Sequence, residues 1–358
     1  TPSPGAKIKQ GMLGLARRLL VPDPQVLWLP AAQLALARRL CSSTPDDVVL
    51  ISGPPFSPFL LAGLARLRPG TAVVLDYRDE WTTTASAYEM GAASHAGALL
   101  ERAVLRVAHS VTTATEEFRA ALLERFDYLD PERVVAIPNG YDPDDFPSEL
   151  PAPPSDRCVV SYAGTVFRLT SARGLLAGVR LLRERDPELA RLLELRFIGR
   201  IVETERDYFE DSEQLGVKQL GYLSHADTVN ELAQSHAALC ILDDVPGVER
   251  IYPAKVFELM RLGRPCLALT PEGALADLVR RHQLGQVVAP RDAPAIAEAL
   301  AQMLRSFRAG TLALHSQAVD IARFDRREQA GRFAQVLRQS HARARDAKAN
   351  LRRSVSPV

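Results

Sequence analysis

Tyr252-Pro-Ala-Lys-Val-Phe-Glu-Leu-Met-Arg-Leu-Gly-Arg-Pro265 is the stretch on which the reading of this chain turns. Pro253 suits the first position of a helix, and Gly263 followed by Pro265 suits its end. Val256, Phe257, Met260 and Leu262 recur at helical spacing and are expected to form its buried side. The apolar run Ala237–Leu242 comes before it, through the loop Asp243–Ile251, so the helix starts just beyond the carboxyl end of a strand. Open α/β sheets bind anions and nucleotides there, because a first helical turn offers unpaired N–H groups and a partial positive charge. Lys255 falls in that first turn, where its own charge opposes the helix dipole. A bound diphosphate would make the placement favourable. Glu258 lies on the same face, and its carboxylate could accept two hydrogen bonds from a ribose diol. The spacing also fits a plain Lys–Glu surface pair at i,i+3, worth about a few tenths of a kcal/mol. Spacing alone leaves the two readings level.

The rest of the chain has the same alternation. Short apolar runs are expected to be strands at Val48–Ser52, Ala72–Tyr77, Ser110–Thr115, Arg133–Pro138, Cys158–Ala163, Leu193–Ile198, Ala237–Leu242, Cys266–Thr270 and Gln286–Ala289. Helical patterns lie between them, at Pro58–Arg68, Ala85–Ala108, Glu116–Arg125, Ala172–Glu184, Asp227–Ser235, Ala274–Arg281 and Ala293–Leu304. Continuous apolar strands separated by helices imply parallel sheets buried on both faces. The 358 residues suffice for two such domains. Tyr141–Ser155 carries five prolines and is read as the connection between them. Ala309–Gln339 has a helical pattern again. Arg338–Arg353 holds six basic residues and one acid, which fits a solvated helix end or an electrostatic contact with a membrane surface or partner.

Composition removes several functions. A net charge of +1 gives no global attraction to nucleic acid. No apolar run approaches the ~20 residues of a membrane helix. Cys41, Cys158, Cys240 and Cys266 lack metal-ligand spacing, and three of them sit in strand-like runs, as buried thiols in a reducing cytosol do. The seven histidines are scattered, so no metal site is expected. No G-x-G-x-x-G follows a strand, which argues against a dinucleotide-binding enzyme.

The Tyr252–Pro265 stretch resembles the donor-site motif of the retaining, two-domain GT-B glycosyltransferases of the family 4 type (glycosyl transferases group 1). It is most similar to a branch with Pro-x-Lys-x-x-Glu before a short helix ending in Gly-x-Pro. The family's usual motif is Glu-x7-Glu, and Glu258 matches its second, ribose-binding glutamate. Position 250 is Arg where the first, sugar-contacting glutamate would fall, and Glu249 is its neighbour. Val160-Ser-Tyr-Ala-Gly-Thr165 resembles the strand and turn that open the donor domain. Arg168 and Arg173-Gly174 resemble the pair that grips the diphosphate, although either would also suit a solvated helix start. Leu195-Arg-Phe-Ile-Gly199 and Gly221-Tyr-Leu-Ser-His225 resemble segments that approach the donor and frame its base. His225 is read as a capping or packing residue, and Asp243 and Asp244 as polar loop residues.

The first half carries its own landmarks. Ile137-Pro-Asn-Gly-Tyr-Asp142 with Phe146 resembles the family's Pro-Asn-Gly-x-Asp…Phe signature at the crossing between domains. Val73-Val-Leu-Asp-Tyr-Arg-Asp-Glu-Trp81 resembles an Asp-x-Arg-Asp-x-Trp variant, and Ser52-Gly-Pro-Pro-Phe-Ser57 leaves a strand in the same way. Ser52, Gly53, Arg78 and Asp79 are thereby expected on the acceptor side. An Asp76–Arg78–Asp79 network that only fixes the loop is the competing reading. Thr115-Glu116 fits a helix cap. The family's opening strand and Gly-rich loop are not readable in Thr1–Leu20, so the first domain is expected to lack its front part.

The resemblance implies two Rossmann-like domains whose parallel sheets face a central cleft. Residues 1–143 would form the acceptor domain, 144–156 the linker and 157–308 the nucleotide-sugar donor domain. Residues 309–358 would be helices packing back toward the first domain, ending in the basic tail. It implies a retaining, metal-independent hexosyltransferase that uses a nucleotide diphosphate sugar as co-substrate and no cofactor. The acceptor would be a glycan, a lipid-linked sugar or a small molecule. The setting would be polysaccharide biosynthesis in the cytoplasm, with peripheral contact at the inner membrane surface. Arg168, Lys255, Glu249 and Asp79 are the catalytic candidates. Gly164, Thr165, Arg168, Arg173, Gly199, Gly221, Tyr222, Tyr252, Pro253, Ala254, Lys255 and Glu258 are the donor-binding candidates. Two rivals stand beside this reading: a nucleotide-sugar epimerase, and a sugar-nucleotide-binding subunit without catalysis.

Overall fold

A computed structural model describes residues 20–42, 47–83 and 95–355, with side chains to residue 350. The opening stretch up to residue 19, and the first part of the helix expected from Ala85, lie outside the described residues. The chain forms two units, one of residues 1–138 with 330–358, the other of residues 139–329.

In the first unit, helix α1 (Leu29–Ser42) precedes strand β1 (Val48–Gly53), helix α2 (Leu61–Arg66) and strand β2 (Ala72–Tyr77). Helix α3 (His95–Val107), strand β3 (Ser110–Thr113), helix α4 (Glu116–Arg125) and strand β4 (Val134–Ala136) follow. The four strands are parallel, in the order β1-β2-β3-β4. Side chains of β2 alternate as the pleat requires. Val73, Leu75 and Tyr77 enter a core with Phe59, Leu105 and Phe118, while Val74 meets Ile137 and Val336 on the other face. That second face is covered by the closing helix, Arg326–Val355. Its Ser340 hydroxyl donates to Ser110 Oγ at 2.7 Å, and Arg332 reaches the Ala136 carbonyl.

In the second unit, strand β5 (Cys158–Ala163), helix α5 (Arg173–Arg185), the short helix α6 (Pro187–Ala190), strand β6 (Leu193–Ile198) and strand β7 (Val217–Gly221) come first. Then come helix α7 (His225–Ala233), strand β8 (Ala237–Ile241), helix α8 (Lys255–Leu262), strand β9 (Cys266–Leu269), helix α9 (Ala274–Arg281), strand β10 (Gly285–Val288) and helix α10 (Ala293–Arg308). All six strands are parallel, in the order β10-β9-β8-β5-β6-β7. Leu239 and Ile241 join Leu175, Val179 and Leu300 on one face; Ala238 and Cys240 join Phe257, Met260 and Leu278 on the other. The inner strands β5, β8 and β9 are therefore buried on both sides, which is why they read as largely apolar runs. Cys158, Cys240 and Cys266 are buried free thiols; Cys41 is exposed.

One device recurs in both units. His109 precedes β3, and its N–H donates to the Val73 carbonyl while its Nδ1 accepts from Val73 N–H at 3.0 Å. His236 precedes β8 and does the same to Val159. Each imidazole continues the ladder beyond the strand's end, and each must be neutral at Nδ1 to do so. Burial pulls the His109 pKa down to about 4 and lowers that of His236.

Three sequence expectations change. Val217–Gly221 is a strand that was not anticipated, because it is an edge strand with Lys218 and Gln219 exposed. The helix expected across Ala309–Gln339 begins only at Arg326. Gly310 adopts a left-handed φ of 68°, and the following segment donates from Ser316 and Val319 to the Gly263 and His282 carbonyls instead of to itself. The proline-rich segment packs on the second unit, so the crossing falls between residues 138 and 139. Tyr141 is buried in that unit's core with Phe146 and Leu150 against it, and the buried Arg264 guanidinium donates to the Pro151 carbonyl at 2.7 Å.

Candidate functional site

In the second sheet the chain leaves β5 for β6 and β7, then returns to β8 on β5's other side. The carboxyl ends of β5 and β8 thus form the topological switch point, where crevices open in such sheets. Gly164 follows β5 with φ 136°, and Gly199 follows β6 with φ 126°. The two turns touch: a Cβ on Gly199 would sit 2.5 Å from the Gly164 carbonyl oxygen. Gly221, at the end of β7, accepts from Gly199 N–H at 2.6 Å. Three glycines at adjacent strand ends leave bare backbone where a ligand can approach.

Lys255 opens α8 and reaches this place. Its ammonium donates to the Ala163 carbonyl at 2.6 Å and to Tyr162 Oη at 3.2 Å, and it lies 4.5 Å from the centre of the Tyr162 ring. A Cβ on Gly164 would collide with Lys255 Nζ. The local sequence explains the reach. Pro253 and Ala254 form a turn just ahead of the helix, so the helix starts two residues later than Pro253 at N1 would predict. Val256, Phe257, Leu259, Met260 and Leu262 are buried, which fixes the helix's rotation and turns Lys255 and Glu258 away from the core. Gly263 closes it in a left-handed C-cap that donates to the Leu259 carbonyl.

Glu258 is half-buried and does not pair with Lys255. Its Oε1 lies 3.5 Å from His225 Nε2, the first residue of α7, and His225 is in turn 3.9 Å from Asp145. Burial raises the Glu258 pKa, opposed by the charges of His225 and Arg326. Lys255 and Glu258 have different direct partners, although the Lys255 charge still acts on Glu258.

The basic residues gather around a group that the sequence reading treated as loop polarity. Asp243, at the end of β8, is buried. It receives Arg173 Nη2 at 2.8 Å and Arg291 Nε at 2.8 Å, and its own N–H donates to the Leu169 carbonyl at 2.7 Å. Two guanidinium groups share the Asp243 carboxylate, and the charge of the adjacent Asp244 also acts on Arg291. Arg168, in the turn Arg168–Thr170, is exposed. Asp243 and Arg291 were not singled out as site residues; an acid directly after a strand and an Arg ahead of a helix N-cap at Asp292 were the available signals. Thr165 is exposed, and its carbonyl accepts from Tyr162 and Thr170 hydroxyls. Tyr252 packs edge-on against Phe257. Tyr222 is 89% exposed, so its ring is available to a flat partner. Glu249 pairs with its neighbour Arg250 at 2.6 Å, and its backbone lies against Gly273. Among the described residues, no group of three His, Cys, Asp or Glu stands together as a metal site would need.

The first unit's candidates group at the carboxyl ends of β1 and β2. Asp76 is buried and accepts from Ser52 Oγ at 2.8 Å, Thr112 Oγ at 2.6 Å and Arg78 Nε at 2.9 Å. Arg78 also lies over the Phe333 ring. Asp79 stands outside these hydrogen bonds; burial raises its pKa while the Arg78 charge lowers it. Gly53 is held where a Cβ would press on Phe59 and the Pro55 carbonyl. Trp81 stacks on Phe56 at 5.1 Å, and Thr82 donates to the buried Glu101. Burial lifts the Glu101 pKa to about 7, partly countered by Thr82.

Known proteins show the same architecture. No curated protein matches the chain in sequence. Among solved structures, sucrose-phosphate synthase from Thermosynechococcus elongatus superposes with a TM-score of 0.63 at 16% identity, covering 90% of this chain and 80% of that one. The Anabaena protein HepE, in complex with UDP and glucose, gives 0.62 at 16% identity over 85% and 80%. The lipopolysaccharide outer core galactosyltransferase WaaB gives 0.57 at 16% identity over 85% and 78%. Residues 5–140 match the glycosyl transferase 4-like domain, and residues 158–306 match the glycosyl transferases group 1 domain. Together these two matches span most of the sequence, and the chain belongs to the GT-B glycosyltransferases that join a 4-like domain to a group 1 domain.

Proposed function

We propose that the chain is a retaining glycosyltransferase that takes its sugar from a nucleotide diphosphate donor held at the switch point of the second sheet. The observation that carries this is Lys255: an ammonium at a helix start, seated on the backbone of the Gly164 turn at the end of β5. A diphosphate there meets the Lys255 ammonium and the first turn of α8. Arg168 and Arg173 complete the cradle for the departing diphosphate. Stabilising that charge and positioning the sugar supply most of the rate in such a scheme. Glu258 takes the ribose, and Tyr222, Gly221 and Tyr252 frame the base. HepE carries UDP and glucose in its structure, and a TarM structure carries UDP with an α-GlcNAc-glycerol. We infer the same class of donor here.

The second unit, residues 139–329, serves as the donor domain and the first, residues 1–138 with 330–358, as the acceptor domain, with Ser52, Gly53, Arg78 and Asp79 on the acceptor side. The departing phosphate oxygen takes the acceptor's proton on the face where the new bond forms, so the chain supplies no nucleophile and no metal. The acceptor is a glycan, a lipid-linked sugar or a small molecule, and the basic end of the closing helix offers a peripheral contact at the inner membrane surface. No helix among the described residues is long and apolar enough to cross a membrane. One observation favours a second reading, a binding subunit without turnover: Arg250 stands where a sugar-contacting acid is expected, and Glu249 is tied to it.

A thermal-shift screen of UDP-, GDP- and dTDP-sugars, followed by product analysis with the labelled donor that binds, tests both. Transfer with retained anomeric configuration is expected. Binding without transfer or hydrolysis supports the subunit reading, and interconversion of donors would indicate an epimerase.

A further inference from the structure

The second sheet has another cavity, at the amino ends of β5, β6 and β7, the end opposite the donor turns. Its volume is about 500 Å³. Arg157, Arg183, Arg191 and Lys218 line it from the basic side; Asp156, Glu194 and Glu213 are the acids. The acids do not consume the cations evenly. Glu194 is buried and takes Arg157 at 3.0 Å, Lys218 at 2.7 Å and Arg196 at 2.8 Å. Although burial opposes ionisation, those three donors hold its pKa down to about 2. Asp156 is occupied by Arg157 at 2.5 Å, and Arg191 has Glu188 at 2.6 Å on the open surface.

Arg183 is left. It makes no ion pair among the described residues. Its Nε is buried and has no hydrogen-bond acceptor. Its Nη2 lies against Gly216, where a Cβ would approach to 3.1 Å. Gly216 holds a φ of 69° and forms part of the cavity wall, so bare backbone again makes room beside a cation. The last turn of α5 carries negative dipole charge, which accounts for a cation such as Arg185 on the surface. It does not account for Arg183, a second cation in that turn which lines the cavity wall with no ion pair among the described residues. Desolvation and the nearby Arg191 lower the Arg183 pKa in consequence. A planar fork of N–H donors matches a phosphate or phosphomonoester. The volume falls in the range of small-molecule sites, which run from about 300 to 1,000 Å³.

We propose that this cavity is a second anion site, separate from the donor turns, which binds inorganic phosphate or a small phosphomonoester through Arg183 with Arg191 in support. The proposal does not depend on the donor reading. The test is calorimetric titration of inorganic phosphate, pyrophosphate and glucose 6-phosphate into the intact protein, the Lys255→Met variant and the Arg183→Leu variant. At least one probe is expected to bind the first two with equal affinity and to lose at least about tenfold in Arg183→Leu. Arg191→Gln, a change at an exposed residue, is expected to weaken the same probe several-fold and covers the case in which Arg183→Leu fails to fold. Tighter binding of glucose 6-phosphate than of phosphate would identify a phosphomonoester as the occupant. Absence of binding to Lys255→Met, or undiminished binding to either arginine variant, would overturn the proposal.

Discussion

The two donor-side turns lean on each other, and Gly199→Ala reports on that contact. At φ 126° an alanine carries backbone strain of about 1–3 kcal/mol. Its Cβ would lie 2.5 Å from the Gly164 oxygen and 2.8 Å from the Gly164 carbonyl carbon. Neither atom belongs to a side chain that can rotate away, so overpacking adds about 1–3 kcal/mol. The expected loss is therefore about 2–6 kcal/mol, because the turn can relieve one term only by worsening the other. The shift would fall on the Gly164 turn and the adjacent Ala163 carbonyl, which accepts from the Lys255 ammonium. Gly63→Ala is the control. It sits inside α2 with nothing within 4 Å of a new Cβ, and a helical Gly→Ala change should stabilise by about 0.5–1 kcal/mol. Urea unfolding of the three proteins, with hydrogen exchange resolving the two units, is the assay. Loss of protection in β5 and β6 with the first sheet intact is expected for Gly199→Ala. Wild-type unfolding by Gly199→Ala would refute the packed-turn geometry.

Glu101 makes the first unit pH-dependent. Its pKa stands at about 7 folded against an ordinary 4.5, so the folded state holds a proton that the unfolded chain releases. Stability is then fully present below about pH 4.5 and is lost as pH rises through 7. The displacement corresponds to at most about 3 kcal/mol. Glu101→Gln keeps an acceptor for Thr82 and should flatten the dependence of β2 and β3 protection between pH 5 and 8. His109 runs the other way: at about 4 folded against 6.5, its contribution is present above pH 6.5 and lost as pH falls toward 4. Protection of the Val73 amide should fall over that range, and His236 should do the same at Val159 in the second unit. Asp243→Asn leaves Arg173 and Arg291 without their shared anion. With both guanidinium groups well exposed, we expect a cost of about 1–3 kcal/mol by urea unfolding.

Much of this was legible in the chain itself. Buried strands such as Ala72–Tyr77 and Cys158–Ala163 announce themselves as largely apolar runs, and α8 carries its stop signal at Gly263. Edge strand β7 does not, because half of its side chains face water and Lys218 and Gln219 break the run. The segment after Gly310 keeps a helical apolar period, yet its backbone donors are taken by Gly263 and His282, contacts between residues far apart in sequence. At the site, Lys255 and Glu258 were readable from the helix start. Their separation was not: i,i+3 spacing suggests a pair, whereas the fold offers Lys255 a strand-end carbonyl and Glu258 a histidine from α7. Asp243 was hidden for the same reason, since its two arginines come from residues 70 and 48 positions away.

The central claim is a diphosphate seated on Lys255 at the Gly164 turn. Calorimetric titration of UDP, GDP and dTDP into wild type, Lys255→Met and Glu258→Gln tests it most directly. One nucleoside diphosphate is expected to bind wild type. A charge-assisted hydrogen bond of about 1.5–3 kcal/mol corresponds to a loss of roughly 10- to 150-fold in Lys255→Met, with a smaller loss in Glu258→Gln. Equal affinity for wild type and Lys255→Met would contradict the account.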